Sequence, residues 1–337
     1  MKSIKRILVP TDFSVGSDKA IAFAMRLAHL NNGEIDLIHI VPEMQYYIRF
    51  MSSEVSMELS REMIDNAEKR IEGSISNIPE EIRGEFFIKT DRKPAESILH
   101  HAKNRSYDLI IIGAKGEHKS KMRRGGVTLQ VIRNSKIPVL TIEEDTASNA
   151  IKSILVPTDG SDLSFTAVEK AARLAATLGG EVTLFYVAEM RVGLSDSVLL
   201  MPTEINDEQL YSALISKLKK FLNARNNTGI NFTKGEKNFR DLLTVELENE
   251  VKEVALRTEI TTGFSPNFEI ETYARKNSDL VVMATHGHTG FASLMLGSVT
   301  EKVVQHLNKP VLTVRPSESE FEHWKVIAKD KSSELSI

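Results

Sequence analysis

The sequence predicts an α/β protein made of two copies of one doubly wound domain, each with a mostly parallel five-stranded sheet flanked by helices. Two observations support this prediction. The octapeptide at residues 5–12 (KRILVPTD) recurs at residues 152–159 (KSILVPTD) with seven of eight positions identical. Short apolar runs, typical of buried parallel strands, alternate with longer segments of helical periodicity.

The strands can be placed most clearly in the first copy, where each is a short run of apolar or β-branched residues. We predict strands at residues 7–10, 34–41, 84–90, 109–113 and 139–142. Residues 17–30 have apolar side chains at helical spacing and are predicted to form the first helix. Because alternating strands and helices form right-handed crossovers, ligands should bind beyond the carboxyl ends of the strands.

Three further matches between the copies follow in the same order along the chain. Residues 41–44 match 187–190, residues 108–112 match 279–283, and residues 137–142 match 309–314. The offset between the copies rises from 147 to 172 residues, so the second copy has a net insertion of 25. We expect this insertion to lie mostly within residues 205–255, to be charged and helical, and to expose its acidic run to solvent.

These matches define the domain organisation. We predict a first domain at residues 1–145, a short polar linker, a second domain at residues 151–316, and a charged tail at residues 317–337 without an assigned function.

Composition limits the classes of function. The 337 residues carry a formal net charge of −3, without the basic excess of a general nucleic-acid binder. There is no cysteine, which excludes disulfides, thiolate metal sites and a cysteine nucleophile. No stretch approaches the roughly 20 apolar residues of a membrane span, and no secretion signal is recognisable. We therefore expect a cytoplasmic protein without nucleic-acid or membrane partners.

A glycine-rich segment follows the fourth strand of the second copy. It contains Gly287 and Gly290, and Gly297 and Ser298 then open a helix. Glycine lets the backbone approach a ligand closely, and a helix N-terminus offers free N–H groups to an anion. The hydroxyls of Ser298 and Thr300 would add donors. The alternative is that the glycines only form a turn and that Ser298 only caps the helix.

An aspartate ends the first strand of the second copy, at the edge where a ligand is expected. An aspartate after a strand is often the N-cap of the next helix. Here Ser161 can cap the helix, which would leave the carboxylate of Asp159 to accept hydrogen bonds from a ligand. Both interpretations remain open.

Together these features resemble the universal stress protein family in its tandem form, over nearly all of residues 4–144 and 152–315. The family's fold is Rossmann-like, of the adenine nucleotide alpha hydrolase type, and its ATP-binding loop has the pattern Gly-x2-Gly-x9-Gly-Ser/Thr. The second copy has this pattern with alanine for the first glycine. The ATP-binding residues that the resemblance implies in the second domain are Pro157, Thr158, Asp159, Val187, Ala284, Gly287, Gly290, Gly297, Ser298, Val299 and Thr300.

The first copy departs further from the family's pattern. It keeps Gly113 and Gly116, but alignment through the later matches puts Gly125 at the third glycine after only eight residues, with Gly126 in place of the serine. Sliding the alignment by one restores nine residues but puts Val127 where the hydroxyl belongs. The hydroxyl is missing in either alignment.

The loop of the first copy is also strongly basic at residues 115–124. It is either a solvated charged loop or an anion site that uses point charges instead of hydroxyl donors. The residues that the resemblance implies for a weakened or altered nucleotide site in the first domain are Asp12, Val41, Gly113, Gly116 and Gly125.

The resemblance implies a regulatory module of the stress response that binds ATP, with or without Mg²⁺; AMP and ADP are the alternative nucleotides. It implies that the two domains pair within the chain, and a further homodimer and an unidentified protein partner stay open. We expect no catalytic residue and no metal site, with His286 and His288 contacting ligand or solvent. The alternatives are a slow ATPase or nucleotidyl-transfer enzyme, and a nucleotide-independent scaffold that acts through the insertion or the tail.

Overall fold

The computed structural model divides the chain into two compact units, residues 2–148 and 149–337, here called domain 1 and domain 2. Within these units the structure describes residues 4–43, 53–115, 125–146, 151–192, 199–200, 206–225, 228–285 and 296–316. The predicted tail lies outside the described residues. No helix in the described part of the chain combines the length and the apolar character needed to cross a membrane.

Domain 1 contains all five predicted strands, and each boundary lies within one residue of its predicted position. The strands are β1 (Arg6–Pro10), β2 (Glu34–Pro42), β3 (Arg83–Asp91), β4 (Leu109–Gly113) and β5 (Val139–Ile142). The helices are α1 (Val15–Asn31), α2 (Ser53–Ser76), α3 (Pro94–Asn104) and α4 (Gly126–Asn134), and a short 3₁₀ helix spans Glu80–Ile82.

The strands of domain 1 form a parallel sheet in the order β5-β4-β1-β2-β3. The central strands β1 and β4 are buried along almost their whole length, as expected for strands covered on both faces. The strand order reverses between β1 and β4, and such a reversal opens a crevice at the carboxyl ends of the two strands.

Domain 2 repeats this arrangement and extends it. Its strands are β6 (Ser153–Thr158), β7 (Glu181–Glu189), β8 (Arg191–Val192), β9 (Leu199–Leu200), β10 (Ile230–Thr233), β11 (Arg240–Glu246), β12 (Val251–Gly263), β13 (Leu280–Ala284) and β14 (Val311–Val314). Its helices are α5 (Asp162–Leu178), α6 (Asp207–Ala224), α7 (Pro266–Asn277) and α8 (Ser298–His306). The order β14-β13-β6-β7-β12 matches that of domain 1, and β11 and β10 continue the sheet beyond β12.

The prediction that the insertion is helical is wrong for most of its length. Helix α6 lies between β7 and β12 as α2 lies between β2 and β3, so it belongs to the repeated fold. The added residues form β10 and β11, which pair antiparallel with each other and with β12. This sheet of domain 2 therefore has seven strands instead of five. Alternate side chains of β11 are buried, the pattern of a half-covered strand, which the high charge of the segment obscures.

One arginine joins this two-stranded extension to the body of domain 2. Arg173 of α5 donates hydrogen bonds to the backbone carbonyls of Glu246, the last residue of β11, and of Thr228, which precedes β10. The acidic run at residues 246–253 extends from the end of β11 through the connecting turn into the start of β12, and it is mostly exposed, as predicted.

Two glycines of domain 1 allow its first helix to touch the end of β4. A Cβ on Gly113 would lie 2.8 Å from the carbonyl carbon of Gly16 and 3.0 Å from the nitrogen of Ser17. Domain 2 has Leu163 and Ala284 at the corresponding positions. The first glycine of the loop pattern thus has a packing role in domain 1.

A buried carboxylate near the amino end of β2 in domain 1 accepts several hydrogen bonds. Asp36 is 1% exposed; its Oδ2 accepts hydrogen bonds from Arg6 (2.9 Å) and from the hydroxyl of Tyr107 (2.6 Å), and its Oδ1 accepts one from the backbone N–H of Glu85. The Tyr107 hydroxyl has a single proton, so Nε2 of His101, 3.2 Å away, must be the donor in their contact. Burial is the main cause that lowers the pKa of His101 to about 4, helped by nearby Lys89 and Arg105.

Replacing Gly113 by alanine should destabilise domain 1 by about 1–3 kcal/mol, because the new methyl group meets backbone atoms that cannot rotate away. Urea unfolding followed by circular dichroism measures this change. The control is Gly73→Ala in α2, where a Cβ has no atom within 4 Å; it should stabilise by about 0.5–1 kcal/mol. Equal effects of the two substitutions would contradict the packing role of Gly113.

Acid should destabilise domain 1 through His101. Its folded pKa lies below the unfolded value, so the unfolded chain binds the proton more readily, and stability is lost as the pH falls from about 6.5 towards 4. Between pH 7.5 and pH 5 we expect a loss of about 1–2 kcal/mol in the free energy of unfolding. His101→Gln keeps a donor for Tyr107 but does not titrate. A variant that loses as much stability as the wild type over this range would refute the assignment.

Candidate functional site

A cavity of about 620 Å³ lies at the carboxyl ends of β1, β2 and β4 in domain 1. This volume is within the usual range for small-molecule sites. Four of the residues predicted for the first domain line it: Asp12, Val41, Gly113 and Gly125. The fifth, Gly116, lies outside the described residues. The domain whose sequence departs further from the loop pattern therefore has a well-formed cavity.

The sheet register corrects one alignment between the copies. Pro10 is opposite Ile38 in domain 1, and Pro157 is opposite Phe185 in domain 2. The constant offset makes Ile40, not Val41, the counterpart of Val187. The sequence match of residues 41–44 with 187–190 was shifted by one residue, and such a shift exchanges the two faces of a strand. Ile40 and Val41 both line the cavity.

The aspartates after β1 and β6 take part in the start of the following helix. Ser161 is the N-cap of α5 and accepts a hydrogen bond from the N–H of Ser164, as predicted. Its own N–H and hydroxyl donate to Oδ1 of Asp159 at 3.0 and 2.5 Å. The expectation that serine capping frees the carboxylate is therefore wrong for Oδ1. Asp12 receives the same two bonds from Ser14.

The N-terminus of α8 is held against the end of β13. The N–H of Gly297 donates to the carbonyl of Thr285 at 2.7 Å, and the Thr300 hydroxyl donates to the carbonyl of Ala284 at 2.9 Å. The Thr300 side chain is buried, so its predicted role as a hydroxyl donor to phosphate is wrong. Ser298 is exposed in the first turn of the helix.

The same two bonds occur in domain 1 and decide between the two loop alignments. Gly125 donates to the carbonyl of Ala114, and Thr128 donates to that of Gly113. Gly125 is therefore the counterpart of Gly297, and Gly126 that of Ser298. The loop of domain 1 is one residue shorter, and the serine hydroxyl is absent from this position.

The remaining residues predicted for domain 2 are only partly described. Pro157 and Thr158 end β6 and are buried, with the Thr158 hydroxyl 2.7 Å from that of Ser164. Val187 lies near the end of β7, and Val299 in the first turn of α8. The predicted residues Gly287 and Gly290, together with His286 and His288, fall outside the described residues.

The cavity residues of domain 1 that the sequence reasoning missed include Phe13, His39 and Arg70. Phe13 has a left-handed backbone (φ 62°), its ring lies 4.4 Å from that of His39, and the Arg70 guanidinium lies 4.3 Å from the Phe13 ring. Burial is the main cause that lowers the pKa of His39. A histidine inside an apolar strand is a signal that could have found this group; the position of Arg70 on α2 gives none.

The described residues place a carboxylate and backbone N–H groups at the carboxyl edge of each sheet. In the part of the chain that the structure describes, no group of three or more histidine, aspartate or glutamate side chains is placed to hold a metal ion. In each domain, the aspartate that follows the first strand lies at the carboxyl edge of the sheet. The helix N-terminus that is hydrogen-bonded to the fourth strand of the repeat lies at the same edge. Free N–H groups at a helix start are suited to an anion.

Comparisons with known proteins agree with this architecture. A universal stress protein of Methanocaldococcus jannaschii is 33% identical over 174 residues, which are 51% of this chain and 86% of that protein. A universal stress protein of Mycolicibacterium smegmatis is 24% identical over 325 residues, which are 92% of this chain and 97% of the relative. The crystal structure of a universal stress protein from Archaeoglobus fulgidus has a TM-score of 0.63 at 19% identity and covers 94% of this chain and 100% of its own.

The family model described as "Universal stress protein family" matches the chain twice, at residues 3–143 and at residues 150–315. The matches coincide with the two sheets and leave out the tail. The chain belongs to the universal stress protein family and contains the family's domain in tandem.

Proposed function

We propose that this chain is a regulatory protein of the stress response that binds adenine nucleotides, with ATP held by domain 2. The observation that supports the proposal is the start of α8, where two hydrogen bonds fix the first turn to the end of β13. The free N–H groups of this turn and the exposed hydroxyl of Ser298 are donors that can neutralise phosphate oxygens without a lysine.

The position of α8 relative to the sheet also supports a nucleotide. Strand β13 is the neighbour of β6, so the pinned helix start and Asp159 both lie at the point where the strand order reverses, the usual place for a nucleotide in such sheets. AMP or ADP could bind to the same N–H and hydroxyl donors but would make fewer contacts with them. Mg²⁺ could accompany ATP. Val187, Gly287 and Gly290 complete the proposed site by resemblance.

We propose binding, not turnover, as the activity. Nucleotide occupancy would change the conformation of domain 2 and thereby its binding to a protein partner. Slow hydrolysis is the alternative, and release of phosphate above a protein-free blank would favour it. Mass spectrometry of small molecules released from the purified protein identifies the nucleotide directly.

A negative charge at the start of α8 should weaken ATP binding. In Ser298→Glu the carboxylate repels the phosphates, and we expect at least a tenfold loss of affinity, about 1.4 kcal/mol. Folding should be retained, because glutamate in the first turn of a helix is favourable. Isothermal titration calorimetry of the full chain measures the affinity.

The matched control is Gly126→Glu, which introduces the same carboxylate at the same helix position of domain 1, where a Cβ meets no atom within 4 Å. It should leave the ATP site of domain 2 unaffected. If Ser298→Glu binds ATP as the wild type does, or if only Gly126→Glu loses it, domain 2 is not the ATP site.

A further inference from the structure

The second half of β12 has an open edge. Strand β11 begins at Arg240, which lies opposite Arg257, so it accompanies β12 only over residues 251–257. Before Arg240 the backbone of Phe239 is left-handed (φ 66°), which a strand does not adopt, whereas β12 stays paired with β7 to its end. Among the described residues, no strand lies beside residues 259–263 on the side of β11.

Two hydrogen bonds show which backbone groups of β12 point to the open edge. The N–H of Thr258 donates to the carbonyl of Phe239, on the β11 side, at 2.9 Å. The carbonyl of Gly263 accepts from the N–H of Met190, on the β7 side, at 2.9 Å. Because the backbone groups of successive strand residues point to alternate sides, the even-numbered residues of β12 face β11 and the odd-numbered residues face β7.

Ile260 and Thr262 therefore direct their N–H and carbonyl groups to the open edge. No described residue donates to these groups or accepts from them. A groove of about 230 Å³ lies at this place, with Thr258 and Ile260 among its lining residues. The Thr258 hydroxyl is buried without a partner among the described residues, and such a group is costly to leave unpaired. The groove thus combines unpaired donors and acceptors with space for a ligand.

The side chains along the open edge favour pairing with another strand. Residues 258–263 contain three threonines and an isoleucine, and β-branched residues are enriched in strands. Their single charged side chain, Glu259, pairs with Arg257 at 2.7 Å. Strand β3 at the edge of domain 1 is charged at four of its nine positions, and edge charges discourage strand addition. The open edge of β12 has little of this protection.

Two exposed aromatic side chains follow the open edge in the chain. Phe264 comes directly after β12 and is 57% exposed, and Phe268, in the first turn of α7, is 61% exposed. Aromatic rings bury large apolar areas and dominate the energetics of many interfaces. The edge of β12 therefore ends in apolar surface that a bound chain can cover.

We propose that residues 258–263 of β12 bind an extended peptide segment of a partner protein as an additional strand, with an apolar side chain of the segment packed on Phe264 and Phe268. Alternating N–H and carbonyl groups are matched by another peptide backbone, and main-chain hydrogen bonds give such complexes their affinity. The segment runs antiparallel to β12 and continues the line of β11, because antiparallel pairing is slightly more stable. This inference does not depend on the nucleotide.

Hydrogen exchange measured by NMR on the full chain tests whether the edge is open. The amide protons of Ile260 and Thr262 should exchange at least about 100-fold faster than those of Glu259 and Thr261, which face β7. Equal protection of all four would mean that another part of the chain, or a second copy of it, already covers the edge, and it would overturn the proposal.

Binding is tested with an acetylated hexapeptide amide, Trp-Thr-Val-Thr-Val-Thr, whose tryptophan reaches the Phe264 end in the antiparallel orientation. Two control peptides are N-methylated, one at the even residues and one at the odd residues. Only one set of N–H groups faces β12, so one control should bind as the parent peptide does and the other about tenfold more weakly. Chemical-shift changes of the amides of Ile260 and Thr262 report the binding.

Two substitutions test the contribution of the protein. Ile260→Pro removes an N–H from the open edge and should weaken binding of the parent peptide about tenfold; proline is tolerated on an edge strand whose N–H faces outward. Phe264→Ser should weaken binding about three- to tenfold, and it gives an independent answer if the proline variant does not fold. The matched controls are Val251→Pro and Val251→Ser at the exposed first residue of β12, which should bind as the wild type does.

Strand addition at β12 is supported if the test variants lose binding and the two N-methylated peptides differ. It is overturned if about 1 mM peptide shifts neither Ile260 nor Thr262, if both N-methylated peptides bind equally, or if the shifts are confined to β3 or β10. ATP binding by domain 2, judged by Ser298→Glu against the wild type, is unaffected by any of these results.

Discussion

The attachment of a helix start to the end of a strand is the constraint on which both candidate sites depend. In each domain a glycine N–H and a threonine hydroxyl bond to successive carbonyls at the end of the fourth strand of the repeat, and the threonine is buried. Thr128 and Thr300 therefore fix where the free N–H groups of α4 and α8 lie. Because these bonds are made by residues on either side of the loop, the number of loop residues can differ without moving the donors, and domain 1 keeps the geometry with one residue fewer.

The duplicated domains have diverged at opposite ends of the same crevice. Domain 2 keeps the serine beside its helix start but has Leu214 near Gly160 at the other end. Domain 1 has lost the serine, yet it keeps an open cavity walled by Phe13 and His39. The serine hydroxyl at the helix start therefore distinguishes domain 2, while the described residues of domain 1 enclose a cavity at the carboxyl ends of β1, β2 and β4. The loop sequence alone reveals the missing serine but not the cavity.

Structural features that depend on local sequence patterns could be predicted from the sequence. Buried parallel strands are continuous apolar runs, so all five strands of domain 1 could be placed to within a residue. The alignment of Val187 could not be fixed, because the adjacent Ile40 and Val41 are similar side chains, and only the backbone pairing of the strands distinguishes two alignments that differ by one residue. The two-stranded extension was mistaken for helix because the alternation in β11 is obscured: Asp241 is charged but buried, and the apolar Leu242 lies on the more exposed face. The contact of Arg70 with Phe13 joins α2 to a loop 57 residues away in the chain, and no local pattern encodes it.

The extension also changes how domain 2 meets other chains. An uncovered strand edge is a template on which a foreign strand can add, and proteins protect such edges with charge or by shortening them. Among the described residues, the edge of the domain 1 sheet next to β2 is β3, nine residues long, with Arg83, Glu85 and Lys89 along it. At the corresponding edge of the domain 2 sheet the last strand is β10, only four residues long. By growing outward, the second domain has more than halved the length of outermost backbone that could recruit an unwanted strand and start aggregation.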